Sequence, residues 1–376
     1  MSFKTTKLKF SVGKDETFYD ELKKEVSEYL LANSAKGRRL LITKAIVFGA
    51  LLCVSYLMML QASTYLQLQF GYWTFGFCSI MLALNFAHDA SHRALTGNKK
   101  LDDVIFEFAF NFQGANGYLW KIRHNHSHHV YPNVDGCDAD LEVNGAIVLS
   151  AGQPWSWYHR YQHLYAPFAY MFYTLLWFFY KDFRLFFYHK QANIVFTTHS
   201  VSEWIKLFAY KGIYLCMVIF IPWKATHLPL PLIVATFVIM HLVWSFFLLF
   251  TFLISHYVEQ VDLTELDDDG RLETSWARHQ INVSVDFHAE ERWANWLFGG
   301  FNTHVAHHLF PNVCHVHYPQ ITAIIRRNLK QHRIPYRSLT YFQGMKSHVR
   351  LLKVLGARRH GLNKNANHVS VNEAAG

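Results

Sequence analysis

Three clusters of histidine dominate this chain of 376 residues. They read HDASH (His88–His92), HNHSHH (His124–His129) and HVAHH (His304–His308). The chain contains 24 histidines in all, and neutral imidazole is the commonest side chain among metal ligands. Burying so many imidazoles without partners would be costly. The clusters therefore predict a metal site.

The spacing inside the clusters predicts how many ions are bound. Residues three or four apart share one face of a helix, and each cluster contains histidines at that spacing. His129 lies about 100° round the helix from His128 and could reach a second metal. His126 falls on the face opposite His124, so we exclude it as a ligand. Eight or nine imidazoles exceed the four ligands of a structural zinc, which predicts two ions with four or five histidines each.

The surroundings of the clusters favour iron. Imidazole suits zinc, copper, iron and nickel alike, so the ligand type does not choose between them. Apolar runs next to the clusters would place this centre beside a bilayer, facing hydrocarbon chains whose C–H bonds no protein acid or base can ionise. Breaking such bonds calls for a redox metal that activates oxygen. Zinc has no redox chemistry, and iron is the leading candidate.

Four apolar runs must position the clusters. They cover about 44–63, 70–87, 205–223 and 230–255, and each approaches the ~20 residues that cross a bilayer. If all three clusters form one site, an even number of crossings must separate the second cluster from the third. The aromatic stretch 154–190 is therefore predicted not to cross, but to be interfacial or re-entrant.

Composition agrees with a membrane protein. Apolar residues make up 51 % of the chain, and the net charge is +9. Cytosolic loops of membrane proteins collect Lys and Arg. This explains the positive charge, and no nucleic acid partner is expected. The five cysteines form no CxxC pair, which argues against a disulfide framework and a thiolate metal site. The polar N-terminus is expected in the cytosol.

The predicted fold is an all-α membrane protein. Four transmembrane helices form two hairpins, and a cytosolic helical cap carries the di-iron site. We expect a cytosolic N-terminal arm at 1–40, the membrane domain at 41–345 and a basic tail at 346–376. A bacterial inner membrane is the expected location, with the active site facing the cytosol.

The three boxes resemble those of the membrane fatty acid desaturase family. Four further stretches, 153–166, 255–260 (SHYVEQ), 275–280 (SWARHQ) and 295–321, are similar to bacterial acyl-lipid or linoleoyl-CoA-like desaturases. The resemblance extends from about residue 8 to 340. Many front-end members carry Gln at the position of His304, so this chain is expected to have an additional ligand there.

The resemblance implies a di-iron centre that inserts a cis double bond into a long acyl chain, using O2 and two electrons. The acyl group could be carried by CoA or by a lipid. Box by box, the resemblance assigns eight iron ligands, and it adds a ninth at the cytosolic end of the last span. These residues are His88, His92, His124, His128, His129, His256, His304, His307 and His308.

Other polar residues near the boxes are candidates for supporting roles. Asp89, Asn133, Asp138 and His279 could orient the ligand imidazoles by hydrogen bonding, as metal-bound histidines usually require. Alternatively, the acidic run from residue 134 to 142 is simply a polar loop. His241 lies within the fourth apolar run, and we expect it to be a packed or hydrogen-bonded histidine.

Two other functions share part of this pattern. A hydroxylase or ketolase of the same superfamily would carry all the boxes, whereas a histidine-rich metal transporter would place its ligands inside the spans along a pathway. The chain shows no HPGG haem motif, GxGxxG loop or iron–sulfur cysteine pattern. We therefore expect electrons to come from a separate protein, either a ferredoxin or cytochrome b5. Membrane lipids are the other expected partners.

Overall fold

Helices dominate the computed structural model, which describes residues 2–5, 7–11, 16–111, 113–141, 145–262, 264 and 271–357. The α-helices are α1 (Glu16–Leu60), α2 (Tyr65–Leu82), α3 (His88–Ser91), α4 (Lys99–Asn111), α5 (Gly117–Arg123), α6 (Gln162–Tyr170), α7 (Tyr173–Leu176), α8 (Asp182–Phe187), α9 (Val201–Leu215), α10 (Ile221–Thr226), α11 (Leu230–Leu253), α12 (Trp276–Asn282), α13 (Arg292–Leu297), α14 (His304–Leu309), α15 (Tyr318–Gln331) and α16 (Tyr341–Ala357). Four π-helical turns join some of them: Ala83–Ala87, His124–His128, Trp177–Lys181 and Cys216–Phe220.

Four helical segments are long and apolar enough to cross a membrane, which confirms the predicted number. They cover Thr17–Leu60, Tyr65–Ser91, Val201–Thr226 and Leu230–Leu253. The first packs against the second, and the fourth packs against the second as well. Apolar side chains such as that of Ile46, which is 65 % exposed, lie on the outer surface, where lipid chains would cover them.

Local signals set the turns between the paired spans. The Thr64 hydroxyl accepts a hydrogen bond from the backbone N–H of Gln67, whose side chain bonds back, so a capping box begins α2. In the other pair, His227 adopts a left-handed φ of 58° and ends α10. Pro229 follows, and Pro231 stands in the first turn of α11, where its missing N–H costs nothing.

Helix α1 connects the membrane region to the cap. Its first turns bury Phe18, Leu22 and Val26 in an apolar cluster that also contains residues of α15. The helix runs without interruption to Leu60, so the predicted boundary between residues 40 and 41 falls inside it. That boundary remains a prediction, because one continuous helix neither supports nor excludes a functional division there.

Helix α16 extends past the other predicted boundary, at residue 345. Leu351, Leu352 and Leu355 are buried in the cluster that includes the end of α11. The first part of the predicted basic tail is therefore packed helix. Residues 358–376, the rest of that tail, lie outside the described residues.

The aromatic segment between the second and third spans enters and leaves the membrane region on one side. At its tip, the Thr174 backbone N–H donates to the Ser245 hydroxyl over 3.0 Å. Ser245 lies eight residues before the end of α11 at Leu253, or about 12 Å along the helix axis. The segment then returns to the beginning of α9, where the rings of Phe186 and Trp204 lie 4.8 Å apart. It is re-entrant and does not cross.

Short strands fasten the loops on the histidine side of the molecule. The strands are β1 (Ser2–Thr5), β2 (Lys9–Phe10), β3 (Lys190–Gln191), β4 (Ile194–Thr198), β5 (Arg271–Leu272), β6 (Asp286–Phe287) and β7 (Ser338–Leu339). Strand β4 pairs antiparallel with β1 and with β3, whereas β2 pairs with β5, and β6 with β7, in parallel.

Two glycines bring the third histidine box against the first. Gly299 and Gly300 precede α14 with φ values of +59° and +92°, a region that favours glycine. A Cβ atom at Gly299 would also collide with the backbone carbonyl of Leu84. Because this loop touches the π-helical turn Ala83–Ala87 that immediately precedes His88, His304–His308 lies beside His88.

Candidate metal centre

All nine histidines predicted as ligands lie together and are buried. They divide into two groups whose ring nitrogens lie within 4.8 Å of one another. The first group consists of His88, His92, His124 and His307. The second group consists of His128, His256, His304 and His308. His129 lies between them, grouped with His307 and His308.

Two π-helical turns hold the first two boxes. One turn, Ala83–Ala87, immediately precedes His88, and the other contains the second box itself. In that second turn the His129 backbone N–H donates to the His124 carbonyl oxygen over 2.9 Å. Such turns widen a helix locally and are frequent at functional sites. The rings of His124 and His128 lie side by side, 5.5 Å apart, but they join different groups.

The third box and His256 complete the second group. His256 follows the end of α11 by three residues, and its Nε2 lies 2.7 Å from His304 Nε2 and 3.0 Å from His308 Nε2. The structure thus brings His256 to the place that a ninth ligand requires.

Hydrogen-bond acceptors fix the proton on Nδ1 in three of the four rings of the second group. His128 Nδ1 lies 3.1 Å from the Asp138 carboxylate, and His256 Nδ1 lies 2.8 Å from the carbonyl oxygen of Val283. Gln280 Oε1 accepts from His308 Nδ1 over 2.8 Å. A neutral imidazole carries one N–H, so Nε2 of each ring presents a lone pair.

Lone pairs that face one another cannot form hydrogen bonds. The Nε2 atoms of His256 and His308 are only 3.0 Å apart, and both are acceptors. A cation between them would satisfy both rings, as metal-bound histidines normally combine one metal bond with one hydrogen bond. The residues present therefore fit a metal ion.

The first group also fits a metal ion, because several of its buried ring nitrogens lack hydrogen-bond partners. Among the described residues, both ring nitrogens of His88 and the Nε2 atoms of His92 and His307 have no hydrogen-bond partner. A buried polar atom without a partner costs free energy. A metal ion bound by these nitrogens would remove that cost.

Burial keeps most of these rings neutral. It lowers the pKa of His124, His129, His304, His307 and His308 well below the usual value. Burial also disfavours the charged form of His128, but the negative charge of Asp138 and its hydrogen bond raise the pKa of that ring. Only neutral imidazole has a lone pair for a metal.

Of the four predicted supporting residues, two contact ligands directly. Asp138 accepts the hydrogen bond of His128, and its Oδ2 also accepts from the backbone N–H of Asn133 over 2.9 Å. The side-chain amide of Asn133 donates to the carbonyl oxygen of His256 over 2.9 Å. One carboxylate and one amide thus tie the second box to the end of α11.

The other two predicted supporting residues contact no ligand histidine through the hydrogen bonds that the described structure shows. His279 Nε2 pairs with the carbonyl oxygen of Pro132 at 2.9 Å. Asp89 accepts instead from both the backbone N–H and the Nδ1 of His315, at 3.0 and 2.7 Å. Their sequence position beside the boxes does not reveal these partners.

Sequence reasoning missed several contacts. Gln280 adjoins His279 in the stretch SWARHQ and hydrogen-bonds to His308, and Val283 contacts His256 through its backbone carbonyl. The buried Lys44 Nζ lies 2.7 Å from His315 Nε2, which extends the Asp89 contact to α1. The sequence signal for this contact is a lysine at the start of an apolar run, where a buried charge needs a polar partner.

Two histidines that were excluded as ligands lie outside both groups. His126 is exposed, and its ring lies 5.0 Å from that of Phe3. His241 is hydrogen-bonded on both ring nitrogens, by Thr174 at 2.8 Å and Tyr214 at 3.0 Å.

A cavity opens beside the first group. His88 forms part of its wall. The other walls are mainly apolar and aromatic, including Leu84, Trp120, Phe252 and Phe301. Such a space suits a hydrocarbon chain next to the metal ligands.

Comparison with known proteins points to one family. The family model described as fatty acid desaturase matches residues 63–340. An acyl-lipid (8-3)-desaturase of Mortierella alpina is 30 % identical over 329 residues, which is 84 % of this chain and 71 % of that protein. A sn-1 linoleoyl-lipid 6-desaturase of Synechocystis is 29 % identical over 276 residues, or 73 % of this chain and 76 % of that protein. An acyl-lipid (8-3)-desaturase of Physcomitrium patens is 27 % identical over 361 residues, covering 94 % and 75 %.

Proposed function

The chain belongs to the fatty acid desaturase family, a family of membrane oxidoreductases, and on this basis we propose that it introduces a cis double bond into a long acyl chain with two iron ions and O2. The nine buried histidines would hold the ions, four in each group with His129 between them. Iron bound there would supply the oxygen-activating redox chemistry that an unactivated C–H bond requires.

The converging lone pairs of the second group are the observation that carries this proposal. His128, His256 and His308 each have Nδ1 committed to an acceptor, so a shared cation would satisfy the Nε2 lone pairs that remain. The number of imidazoles, the division into two groups and the adjoining cavity all support a two-ion centre that acts on a hydrocarbon.

The chain itself positions the substrate and excludes water. The cavity brings an acyl chain past His88 between aromatic walls such as Phe252 and Phe301. Burial of the ligand rings keeps solvent away from the reacting carbons. Asp138 and Gln280 hold the second group in one tautomer, so that the ligand geometry is fixed before substrate arrives.

We propose an acyl group esterified to a membrane lipid as the substrate. The relatives named above act on acyl-lipid or linoleoyl-lipid substrates by their descriptions. The cavity also lies between two candidate membrane spans, where residues of the second span (Tyr65–Ser91) and of α11 line it. A lipid-bound acyl chain could enter it without first leaving the bilayer.

The histidine side is proposed to face the cytosol. In the predicted topology, Lys224 is the only Lys or Arg on the far side, and Lys and Arg collect on the cytosolic side of membranes. A soluble electron carrier, either a ferredoxin or cytochrome b5, would then reach the cap from the cytosol. A bacterial inner membrane is the proposed location.

Lipid analysis after expression tests the proposal. In a host without polyunsaturated lipids, the chain should generate new double bonds in lipid-bound acyl groups, and purified protein should contain two irons per chain. The His307→Ala variant is the matched negative control. A hydroxylated product would instead identify a hydroxylase, and new double bonds confined to acyl-CoA would reject the lipid substrate.

A further inference from the structure

The cavity beside His88 has a polar inner end. Thr174, at the tip of the re-entrant segment, and Leu248 of α11 line it there, whereas His88 and Phe252 line its metal end. Ser245, the hydrogen-bond partner of Thr174, precedes Phe252 by seven residues. At 1.5 Å per residue, the level of Ser245 therefore lies about 10 Å deeper along α11 than the level of Phe252 at the metal end.

The cavity-lining Thr174 belongs to a hydrogen-bond network with Ser245, His241 and Tyr214, and this network is called the floor. The Thr174 hydroxyl lies 2.8 Å from His241 Nδ1 and also contacts the Ser245 hydroxyl. The Tyr214 hydroxyl lies 3.0 Å from the other ring nitrogen, His241 Nε2. A neutral imidazole has one donor and one acceptor, and the two hydroxyls match them. All the polar groups of the network are thus satisfied within the membrane interior.

The floor is anchored from several directions. Its residues come from the re-entrant segment, α9 and α11, so three separate chain segments meet in it. The returning limb of the re-entrant segment is fixed in addition by the buried pair Asp182–Lys211, with Lys211 Nζ 2.8 Å from the carboxylate. The indole N–H of Trp177, a cavity wall, donates to Asp182 over 2.7 Å. Moving the floor would leave buried polar groups without partners, which is costly in a bilayer.

We infer that this network sets the maximum length of acyl chain beyond the new double bond. The inference depends on the proposed function, because it assumes that an acyl chain passes His88. The polar head of the substrate stays at the membrane surface, so the end that enters the cavity is the methyl end. A rigid floor then limits how many carbons fit between the oxidised bond and the terminal methyl group.

The limit can be measured directly on the full-length enzyme. Membranes containing it, with an electron carrier and its reductase, are supplied with lipids whose acyl chains increase by one methylene. In each product the carbons between the new double bond and the methyl end are counted. Beyond the limit, each additional methylene should lower the rate about 10-fold or more, as for other pockets of fixed depth.

Two substitutions should move the limit in opposite directions. Leu248→Ala opens the wall next to the floor and should let longer chains react, whereas Thr174→Leu fills the floor and should restrict the enzyme to shorter ones. Thr74→Leu is the matched control, because Thr74 bonds only within α2 and lies outside the cavity wall. Its limit should equal that of the unmodified enzyme.

The outcomes separate this inference from the proposed function. If the unmodified enzyme desaturates no acyl lipid, the proposed function is wrong. If it desaturates them but Leu248→Ala leaves the limit unchanged, the floor does not measure the chain, and the inference is rejected even if Thr174→Leu is inactive. A raised length limit in Leu248→Ala supports the inference. Continued desaturation of shorter chains, but not longer ones, by Thr174→Leu supports it further.

Discussion

The two histidine groups differ in what holds their rings. In the second group, Asp138, Gln280 and the Val283 carbonyl each accept an Nδ1–H from a ligand histidine. In the first group, His307 Nδ1 has a distant contact of 3.4 Å with the Tyr318 hydroxyl. Both ring nitrogens of His88 lack a partner among the described residues. Three of the four rings of the second group are fixed by hydrogen bonds on Nδ1, with His304 Nδ1 unpartnered among the described residues, whereas the first group is held mainly by packing.

This difference matches the positions of the groups. His88 of the first group forms part of the cavity wall, so this group lies next to the proposed substrate. Rings without hydrogen bonds can adjust as the chain enters. The second group has more hydrogen bonds to its rings, and we expect it to bind its ion more tightly. The following predictions test that contrast, beginning with the largest expected effect.

Removing one ligand from either group should abolish product formation. In His128→Ala and His307→Ala, an ion loses one of its imidazoles, and desaturation should fall below detection because both ions are needed. The membrane helices carry the signal for insertion, so expression should remain nearly normal. Product analysis and membrane quantification check this. Substantial activity in either variant would contradict the two-ion assignment.

His256→Ala should cost iron as well as activity. His256 Nε2 lies within 3.0 Å of two other ligand nitrogens in the second group, so its loss should lower the iron content from two ions per chain toward one. The matched control is His241→Ala, a buried histidine remote from both groups, which should keep its iron. Full iron occupancy in purified His256→Ala would exclude His256 as a ligand.

A change at Asp138 should weaken the second group without removing a ligand. In Asp138→Asn, the amide can donate to His128 Nδ1, which would move the ring proton to Nε2 and occupy the lone pair. Losing such a support typically costs 10–100-fold in metal affinity, so we expect a loss of that order in titrations with a chelator.

A control for the local fold is available beside Asp138. Its two oxygens accept backbone N–H bonds from Asn133 and Asp140, and an asparagine at position 138, with one oxygen, can keep only one of them. An unsatisfied buried donor costs ~1–3 kcal/mol, so the metal-free variant should unfold at a moderately lower temperature than the metal-free parent. A large drop there, with unchanged chelator titration, would make Asp138 a structural residue only.

Much of this arrangement was visible in the sequence, for physical reasons. Spans are continuous apolar runs, and the histidine boxes have helical spacing, so both are local signals. The prediction that 154–190 does not cross followed from the requirement that the three boxes share one side of the membrane. Helix continuity through residue 40 was not visible, because the polar arm and the apolar run that follows it differ in composition. In the structure Gly37 lets α1 approach the ring of His317, which a Cβ atom would strike.

The supporting contacts were harder to predict because they are not local. Val283 acts through a carbonyl oxygen, which every residue possesses. Asp89 adjoins a ligand in sequence but points to His315, 226 positions away, and only the packing of α14 and the following loop against α3 brings them together. Asp138 was the favourable case, since it lies ten residues from His128 within one polar loop.

The smallest expected effect concerns Tyr318, the one hydroxyl near a ring nitrogen of the first group among the described contacts. Its oxygen lies 3.4 Å from His307 Nδ1 and donates to the carbonyl oxygen of Phe310 over 3.2 Å. A contact of 3.4 Å is at the long end for a hydrogen bond, and a neutral one contributes a net ~0.5–1.5 kcal/mol even at good geometry. Tyr318→Phe should therefore change iron affinity by less than about threefold, the low end of that range. Gln280→Leu, which removes a 2.8 Å contact from His308, should cost about 10-fold or more. Parallel chelator titrations of both variants measure the difference, and equal losses would show that the two groups are supported alike.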